Sequence, residues 1–210
     1  FGDGAGAVVI EESKSESDGE IYSFSNGLSS DNLEILEIPN FGSAMDRFKT
    51  DEAARVRWTF DGQEIFKSGV RAMAQASAEA IEKSGLSKED VDIFIPHQAN
   101  IRIVEALEKK LGLPNATTIK KVHRYGNTSA ASIPTAFVDA LEEGEIKGGE
   151  IAVFTAVGAG LAWGACAVRL GDRVTPINKS DAKLPDFDGT ATDTIKRAIE
   201  YQVPDKLDKI

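Results

Sequence analysis

The spacing of hydrophobic positions predicts two helices in the middle of the chain. Residues 60–84 carry apolar side chains at helical spacing, and Gly85 follows as a natural helix end. Residues 87–90 then resemble a capping box, and residues 100–111 show a second apolar face before Gly112. The apolar stripe of the first helix consists of Phe66, Val70, Met73, Ala74, Ser77 and Ile81.

Short β-branched runs between the helical stretches predict strands. These runs are residues 7–10, 91–95, 117–122, 151–156 and 161–170. Small residues after Asn127 predict a helix to about residue 141, with Pro134 in its first turn. Gly158 and Gly160 predict a tight turn between the last two strands. Strands that alternate with helices predict an α/β layered domain with a final antiparallel hairpin.

Residues 11–57 and 171–210 are more polar, and their patterns are weaker. A short strand is predicted at 32–39 and a short helix at 193–202, capped by Thr190 or Thr192. The chain opens with a buried-strand pattern at 7–10, and a buried strand needs a neighbour. We therefore expect this chain to be the C-terminal portion of a longer protein.

Composition disfavours several kinds of site. The 210 residues carry a net charge of −10, which disfavours generic nucleic-acid binding. The single cysteine, Cys166, cannot form an intramolecular disulfide or a multi-cysteine zinc site. Two histidines are too few for a His-rich metal cage, and no apolar run reaches the about 18 residues of a membrane span. We expect no metal, no nucleic acid and no membrane as partners.

Polar groups follow the predicted strands, at the edge where α/β sheets place ligands. His97 follows the strand at 91–95, where an imidazole can donate a hydrogen bond or shuttle a proton; the alternative is a structural histidine. The Asn127 carboxamide can donate to a developing oxyanion, or Asn127 can be an ordinary cap or turn residue. The turn at 158–160 can aim backbone N–H groups at a negatively charged oxygen, or be only a tight turn.

Four motifs, in this order, resemble β-ketoacyl-acyl-carrier-protein synthase III: residues 1–7 (FGDGAGA), 96–100 (PHQAN), 126–132 (GNTSAAS) and 158–164 (GAGLAWG). The interval of 30 residues between His97 and Asn127 (127 − 97) also resembles the interval in that family. The resemblance covers roughly residues 1–170. It implies an α/β, thiolase-like layered αβαβα fold, usually dimeric, with this chain holding the last strand of the first half and the whole second half.

The resemblance implies four segments with different origins. Residues 1–17 would end the N-terminal thiolase half, and residues 18–57 would be a covering segment. Residues 58–170 would form the C-terminal half, and residues 171–210 an appended tail.

The resemblance implies a decarboxylative Claisen condensation of an acyl-coenzyme A primer with malonyl-acyl-carrier protein, which initiates fatty acid synthesis in the cytoplasm. It implies no cofactor, since coenzyme A enters as the thioester substrate. His97 and Asn127 match the pair that hydrogen-bonds the malonyl thioester oxygen, at roughly 3 kcal/mol for one such donor. The backbone N–H of Ala159 matches an oxyanion-hole donor; the family often has Gly there, and a backbone contact tolerates Ala.

The resemblance also assigns substrate contacts and a docking patch for the acidic carrier. The substrate contacts are Phe60, Gln63, Phe66, Ala99, Asn100 and Ile103. For Ala99, Asn100 and Ile103 ordinary helix packing is the alternative, more so for Ile103 than for Asn100. The docking patch is formed by Lys67, Arg71 and Arg102, with Arg55 and Arg57. A local patch is needed because the chain's net charge repels an acidic carrier, and solvated surface charge is its alternative. Trp58 would narrow the acyl pocket.

The nucleophilic cysteine of the family lies in the first half, upstream of Phe1, at a helix N-terminus that favours the thiolate. Cys166 lies in a predicted strand and is interpreted as a small core residue. We expect acyl loading only together with the N-terminal half of the same enzyme, in a homodimer. Two alternatives remain open. One is a non-catalytic or specialised partner half, against which His97 and Asn127 argue, and the other is a non-decarboxylating thiolase-fold synthase.

Overall fold

The computed structural model describes residues 1–31, 33–38 and 59–174, together with residues 189, 190, 192, 193 and 196. The chain divides into two compact units, Phe1–Pro176 and Ile177–Ile210. Within the second unit, the Thr190 hydroxyl accepts a hydrogen bond from Asp193 N at 3.2 Å. Most of the helix predicted at 193–202 lies outside the described residues.

A five-stranded mixed sheet forms the centre of the first unit. In spatial order its strands are β1 (Glu20–Leu28), β7 (Ala162–Arg169), β6 (Ile151–Gly158), β4 (Ile93–Pro96) and β5 (Thr117–Thr118). β1, β7 and β6 pair antiparallel, whereas β6, β4 and β5 run parallel. A separate antiparallel ribbon pairs β2 (Leu36–Glu37) with β3 (Thr59–Phe60). The antiparallel β6–β7 hairpin confirms the prediction for the last two strands.

Helices cover both faces of the sheet. They are α1 (Gly62–Lys83), α2 (Ile101–Leu111), α3 (Val122–Tyr125) and α4 (Ser132–Glu142). Residues of α1 and α2 share one core cluster with Phe94 of β4, whereas residues of α4 share another with Ile93 and Ile95. The residues of β4 alternate between the two clusters because successive side chains of a strand point to opposite faces. The resulting helix–sheet–helix sandwich confirms the predicted α/β layers.

Helix α1 is the long central helix that the apolar stripe predicts. The Asp61 carboxylate caps it by accepting hydrogen bonds from the backbone N–H groups of Gln63 and Glu64 at 3.1 and 3.0 Å. The stripe is buried except for Phe66, which is half-buried. Many of the other buried positions of α1 are Ala, Ser or Gly, whose small side chains let the helix lie close to the sheet. No helix in the described part of the chain is long and apolar enough to cross a bilayer.

Two predicted strands differ from the structure. Residues 7–10 form no strand, and Val8, Val9 and Ile10 are 63%, 71% and 74% exposed, so the buried strand predicted there is wrong. No described strand pairs with this segment, and a strand needs a partner for its backbone hydrogen bonds. The strand predicted at 117–122 ends at Thr118, because the chain turns into α3 from Val122.

In the region before α1, the strands of the structure also differ from those predicted. The hydrophobic pattern predicts a strand at 32–39. Of the described residues there, only Leu36–Glu37 form a strand, and Leu33–Ile35 form a 3₁₀ turn. No strand is predicted at 20–28, where β1 forms the edge of the main sheet. In β1, Ser25 is buried and Phe24 is exposed, so the strand presents a polar face to α1 and an apolar face to the other side.

Candidate active site

The carboxyl ends of the parallel strands lead directly into the predicted site residues. His97 follows β4, and its backbone N–H continues the ladder to the Thr155 carbonyl of β6 at 2.7 Å. Ala159 lies in the turn that follows β6, and Asn127 follows α3, which comes after β5. Because β4, β5 and β6 are parallel, these strands all end at the same edge of the sheet.

His97 is half-buried, and one of its ring nitrogens has a partner. Nδ1 lies 2.6 Å from the Ser132 hydroxyl oxygen at the start of α4. Burial lowers the pKa of His97 below its ordinary value of 6.5, since a charged imidazolium is poorly solvated there. The ring is therefore neutral at neutral pH. Among the described residues Nε2 has no hydrogen-bond partner, so Nε2 is the nitrogen left for a ligand.

Gln98 holds the loop that carries His97. Its side chain is 2% exposed and makes four hydrogen bonds. Nε2 donates to the carbonyls of Pro96 and Ile119 at 2.7 and 3.2 Å, and Oε1 accepts from the backbone N–H groups of Lys121 and Val122 at 2.8 and 3.2 Å. These bonds fix the end of β4 to the segment after β5. Gln98 belongs to the motif at 96–100, but hydrophobic spacing carries no signal for the role of a buried, fully bonded amide.

Asn127 is half-buried, and its own backbone turn holds its carboxamide. Oδ1 accepts a hydrogen bond from the Ser129 N–H at 2.9 Å, which is the turn role that the sequence left open. This bond leaves the Nδ2 amide group as the donor available to a ligand, and no described residue accepts from it. The main-chain carbonyl of Asn127 accepts from Gly2 N at 2.8 Å. Asn127 therefore keeps a free donor although it is also a turn residue.

Ala159 is exposed at the tip of the β6–β7 hairpin, which closes on the Gly158–Ala162 pair. Its N–H has no acceptor among the described residues. The neighbouring Leu161 carbonyl accepts from Ser29 N at 2.9 Å, which ties the turn to the end of β1. The structure records no direct bond from Ala159 to His97 or Asn127, so its part in the site remains a prediction.

The predicted substrate contacts on the first helix lie at its N-terminal end. Phe60 in β3 is 59% exposed, and Gln63 is exposed in the first turn of α1. Phe66 is half-buried and packs against the cluster shared by α1 and α2. Phe60 and Gln63 are therefore accessible to a ligand, whereas Phe66 also serves the core.

The predicted contacts at the start of α2 have structural roles of their own. Asn100 is the N-cap, and its Oδ1 accepts from Ile103 N at 3.0 Å. Ile103 is 5% exposed in the core cluster, and Ala99 packs against that cluster from the edge. Ile103 thus has the packing role that the sequence left open. The cap occupies Oδ1 of Asn100 and leaves its Nδ2 amide group available.

The three described residues of the predicted docking patch are all exposed. Lys67 and Arg71 lie four residues apart on α1, and Arg102 lies in the first turn of α2. None of the three makes an ion pair within the described part of the chain. The other predicted residues, Arg55, Arg57 and Trp58, lie outside the described residues.

Cys166 lies on β7 between two aromatic residues of neighbouring strands. It pairs in register with Phe24 of β1 and Phe154 of β6. Burial raises the pKa of the Cys166 thiol, so that the thiolate needed for nucleophilic attack is disfavoured. This environment supports the interpretation of Cys166 as a structural residue.

The comparisons with known proteins give one family. Residues 81–170 match the family model described as 3-Oxoacyl-[acyl-carrier-protein (ACP)] synthase III C terminal. Beta-ketoacyl-[acyl-carrier-protein] synthase III 2 of Vibrio cholerae serotype O1 is 47% identical over 203 residues, which cover 96% of this chain and 55% of that protein.

Solved structures of 3-oxoacyl-[acyl-carrier-protein] synthase III agree with this match. The enzyme of Aquifex aeolicus VF5 has a TM-score of 0.61 at 37% identity, covering 74% of this chain and 46% of its own. The enzyme of Pseudomonas aeruginosa PAO1 has a TM-score of 0.66 at 29% identity, covering 79% and 48%. The chain thus spans about half the length of the relatives it matches. It matches the C-terminal part of β-ketoacyl-acyl-carrier-protein synthase III and has the α/β thiolase fold of those enzymes.

Proposed function

We propose that the complete protein containing this chain condenses an acyl-coenzyme A primer with malonyl-acyl-carrier protein and so initiates fatty acid synthesis in the cytoplasm. The proposal rests on one observation: within the described part of the chain, His97 Nε2 and Asn127 Nδ2 have no hydrogen-bond partner. Each residue has one polar atom engaged by the protein, Nδ1 to Ser132 and Oδ1 to Ser129. Each therefore offers its remaining nitrogen to a ligand. Two neutral N–H donors suit an oxygen that gains negative charge during a reaction.

The decarboxylation step creates that charge. The bond between the malonyl carboxylate and its methylene carbon breaks, CO₂ leaves, and the electron pair spreads onto the thioester oxygen as an enolate. His97 and Asn127 donate to this oxygen and stabilise it more than the uncharged carbonyl, which lowers the barrier. Because both donors are neutral, they also avoid binding the malonyl carboxylate too tightly before it is lost.

The acyl-enzyme step needs residues outside this chain. A cysteine of the N-terminal half takes the acyl group from coenzyme A, which leaves as its thiol. The carbanion then attacks that thioester, and the backbone N–H of Ala159 donates to the oxygen of the tetrahedral intermediate before the cysteine thiolate leaves. The free N–H of Ala159 and the raised pKa of the Cys166 thiol support this division of roles. The reaction uses no cofactor or metal.

The substrates reach the site along the N-terminal ends of α1 and α2. The pantetheine arm contacts Phe60, Gln63, Ala99 and the Nδ2 amide group of Asn100. Phe66 and Ile103 form the wall behind these residues. Lys67, Arg71 and Arg102 receive the acidic carrier. These three side chains are exposed and make no ion pair with another described residue, which supports that role.

The complete enzyme contains the N-terminal half and is a homodimer. The apolar side chains of Phe24 and Leu28, which are 63% and 72% exposed on β1, support a covering half on that face.

The experiment compares three steps in the complete protein: acyl transfer from coenzyme A, malonyl decarboxylation and full condensation. We expect His97→Ala and Asn127→Ala each to slow decarboxylation and condensation by about 10²- to 10³-fold, with acyl transfer nearly unchanged. His123→Ala and Asn115→Ala are matched controls, because both residues are exposed and lie outside the site.

Absence of decarboxylation by the wild-type protein would refute the proposal and favour a non-catalytic partner half. Condensation without release of CO₂ would favour a non-decarboxylating synthase.

A further inference from the structure

Ser132 joins the two segments that carry the candidate donors. It is the first residue of α4, five residues after Asn127, and it is 3% exposed. Its Oγ lies 2.6 Å from His97 Nδ1 and 3.2 Å from the backbone N of Gln98. The hydroxyl therefore touches both the imidazole and the backbone that carries it.

The direction of each hydrogen bond follows from what the partners can do. The Gln98 N–H can only donate, so it occupies one lone pair of Oγ. Within the described part of the chain, His97 Nδ1 is the one acceptor in reach of the hydroxyl proton. If Nδ1 carried the ring proton instead, Oγ would accept twice and its own proton would be buried without a partner, which is unfavourable. Nδ1 therefore accepts from Ser132.

A neutral imidazole with an accepting Nδ1 carries its proton on Nε2. The ring is neutral because burial lowers the pKa of His97, and no charged side chain of the described residues is bonded to it. The backbone bond from His97 N to Thr155 O and the four bonds of Gln98 keep the loop in place. The ring and the hydroxyl thus meet in one defined arrangement.

We propose that Ser132 is a positioning residue that holds the proton of His97 on Nε2, so that the imidazole offers a donor rather than a lone pair. The identity of the oxygen that receives this bond rests on the proposed function, whereas the tautomer does not. The hydrogen bond at one ring nitrogen decides which of the two nitrogens carries the proton. Without the Ser132 hydroxyl, the proton can therefore also occupy Nδ1, and the ring loses the contact that fixes its orientation.

The test measures the tautomer directly, by ¹⁵N NMR of the complete protein labelled on histidine. His97 signals are assigned as those missing from His97→Gln. We expect a protonated Nε2 and an unprotonated, hydrogen-bonded Nδ1 in the wild type. Ser132→Ala should move the Nδ1 signal, and Ser132→Thr, which keeps a hydroxyl, should retain the wild-type pattern. Ser77→Ala is the matched control, since Ser77 is a buried helical serine bonded to the Met73 carbonyl.

Kinetics give a second readout, with rates expressed per amount of folded protein so that loss of folding does not imitate the effect. We expect Ser132→Ala to lower kcat for condensation about tenfold with KM nearly unchanged, and Ser132→Thr to restore it. A wild-type proton on Nδ1, or a Ser132→Ala spectrum identical to the wild type, would overturn the inference. If the wild-type protein does not decarboxylate malonyl thioesters, the proposed function fails, and the spectra still decide the role of Ser132.

Discussion

The two candidate donors reach the same chemical state by different local means. His97 depends on burial and on a hydroxyl from another helix, so its donor exists only in the folded chain. Asn127 depends on a bond to a residue two positions away, so its local turn already orients the carboxamide. Mutations that loosen the packing of α4 should therefore affect His97 more than Asn127.

The buried, neutral state of His97 makes stability depend on pH. The pKa of His97 is lowered in the folded protein, so below the ordinary value of 6.5 the unfolded chain binds a proton that the folded chain does not. Stability is fully present above pH 6.5 and falls as the pH drops toward the lowered folded pKa. The slope from this one group is at most about 1.4 kcal/mol per pH unit.

We expect this slope to disappear in His97→Gln, when unfolding by urea is followed from neutral pH downward. Carboxylates also titrate on acidification, and the difference between wild type and variant removes their contribution. His123→Gln is the matched control, because it makes the same substitution at an exposed histidine. A wild-type slope that persists in His97→Gln would contradict the prediction.

Sequence motifs single out His97 and Asn127, but they cannot show why these side chains present donors. Ser132 belongs to the same GNTSAAS motif and would pass as an ordinary residue in the first turn of a helix. Its contact with His97 spans 35 positions and depends on how α4 packs against the end of β4. Tertiary contacts of this kind leave no local pattern in a single sequence.

At the scale of elements, the predicted docking residues lie in the N-terminal halves of α1 and α2. Their shared core cluster fixes the two helices together, and the basic residues project from the exposed sides. The net charge of −10 works against an acidic partner at long range, so contact at short range has to come from a local group of positive charges.

We expect Arg102→Glu to weaken condensation that depends on the carrier protein by at least tenfold, because it replaces an attraction by a repulsion at the contact. Acyl loading from coenzyme A should change much less. The loss should shrink as salt is raised, since salt screens exposed charges.

Steady-state rates with carrier-bound malonyl groups, and loading with radiolabelled acyl-coenzyme A, measure the two steps. Lys147→Glu makes the same reversal at an exposed position outside the patch and should be neutral. Equal losses in both steps for Arg102→Glu would count against a docking role.

Elements with a strong, local pattern are predictable, and those that depend on a partner are not. The apolar faces of α1 and α2 are visible in the sequence, since each lies within one helix. Residues 22–25 of β1 alternate between aromatic and polar side chains, as expected for a strand. The flanking sequence is polar, so this short alternation is a weak signal. Residues 7–10 show the reverse case, a strand pattern without a described neighbour.

At the scale of the whole molecule, the described fold provides donors but no activated nucleophile. His97 and the Ala159 turn follow the parallel strands β4 and β6, and Asn127 follows α3, whereas Cys166 lies within β7 with a raised thiol pKa. A thiolate nucleophile is favoured by a positive environment such as a helix N-terminus, whereas Cys166 lies in the middle of a strand.

We therefore expect Cys166→Ala in the complete protein to load acyl groups from radiolabelled acyl-coenzyme A as fully as the wild type. The substitution removes a small, partly buried side chain and no reacting group. Alanine in place of the cysteine that opens a helix in the N-terminal half should abolish loading instead. Peptide mapping of the labelled protein then identifies the loaded residue. A label on Cys166, or its loss in a Cys166→Ala protein that still folds, would show that the nucleophile lies in this chain and would remove the need for the other half in acyl transfer.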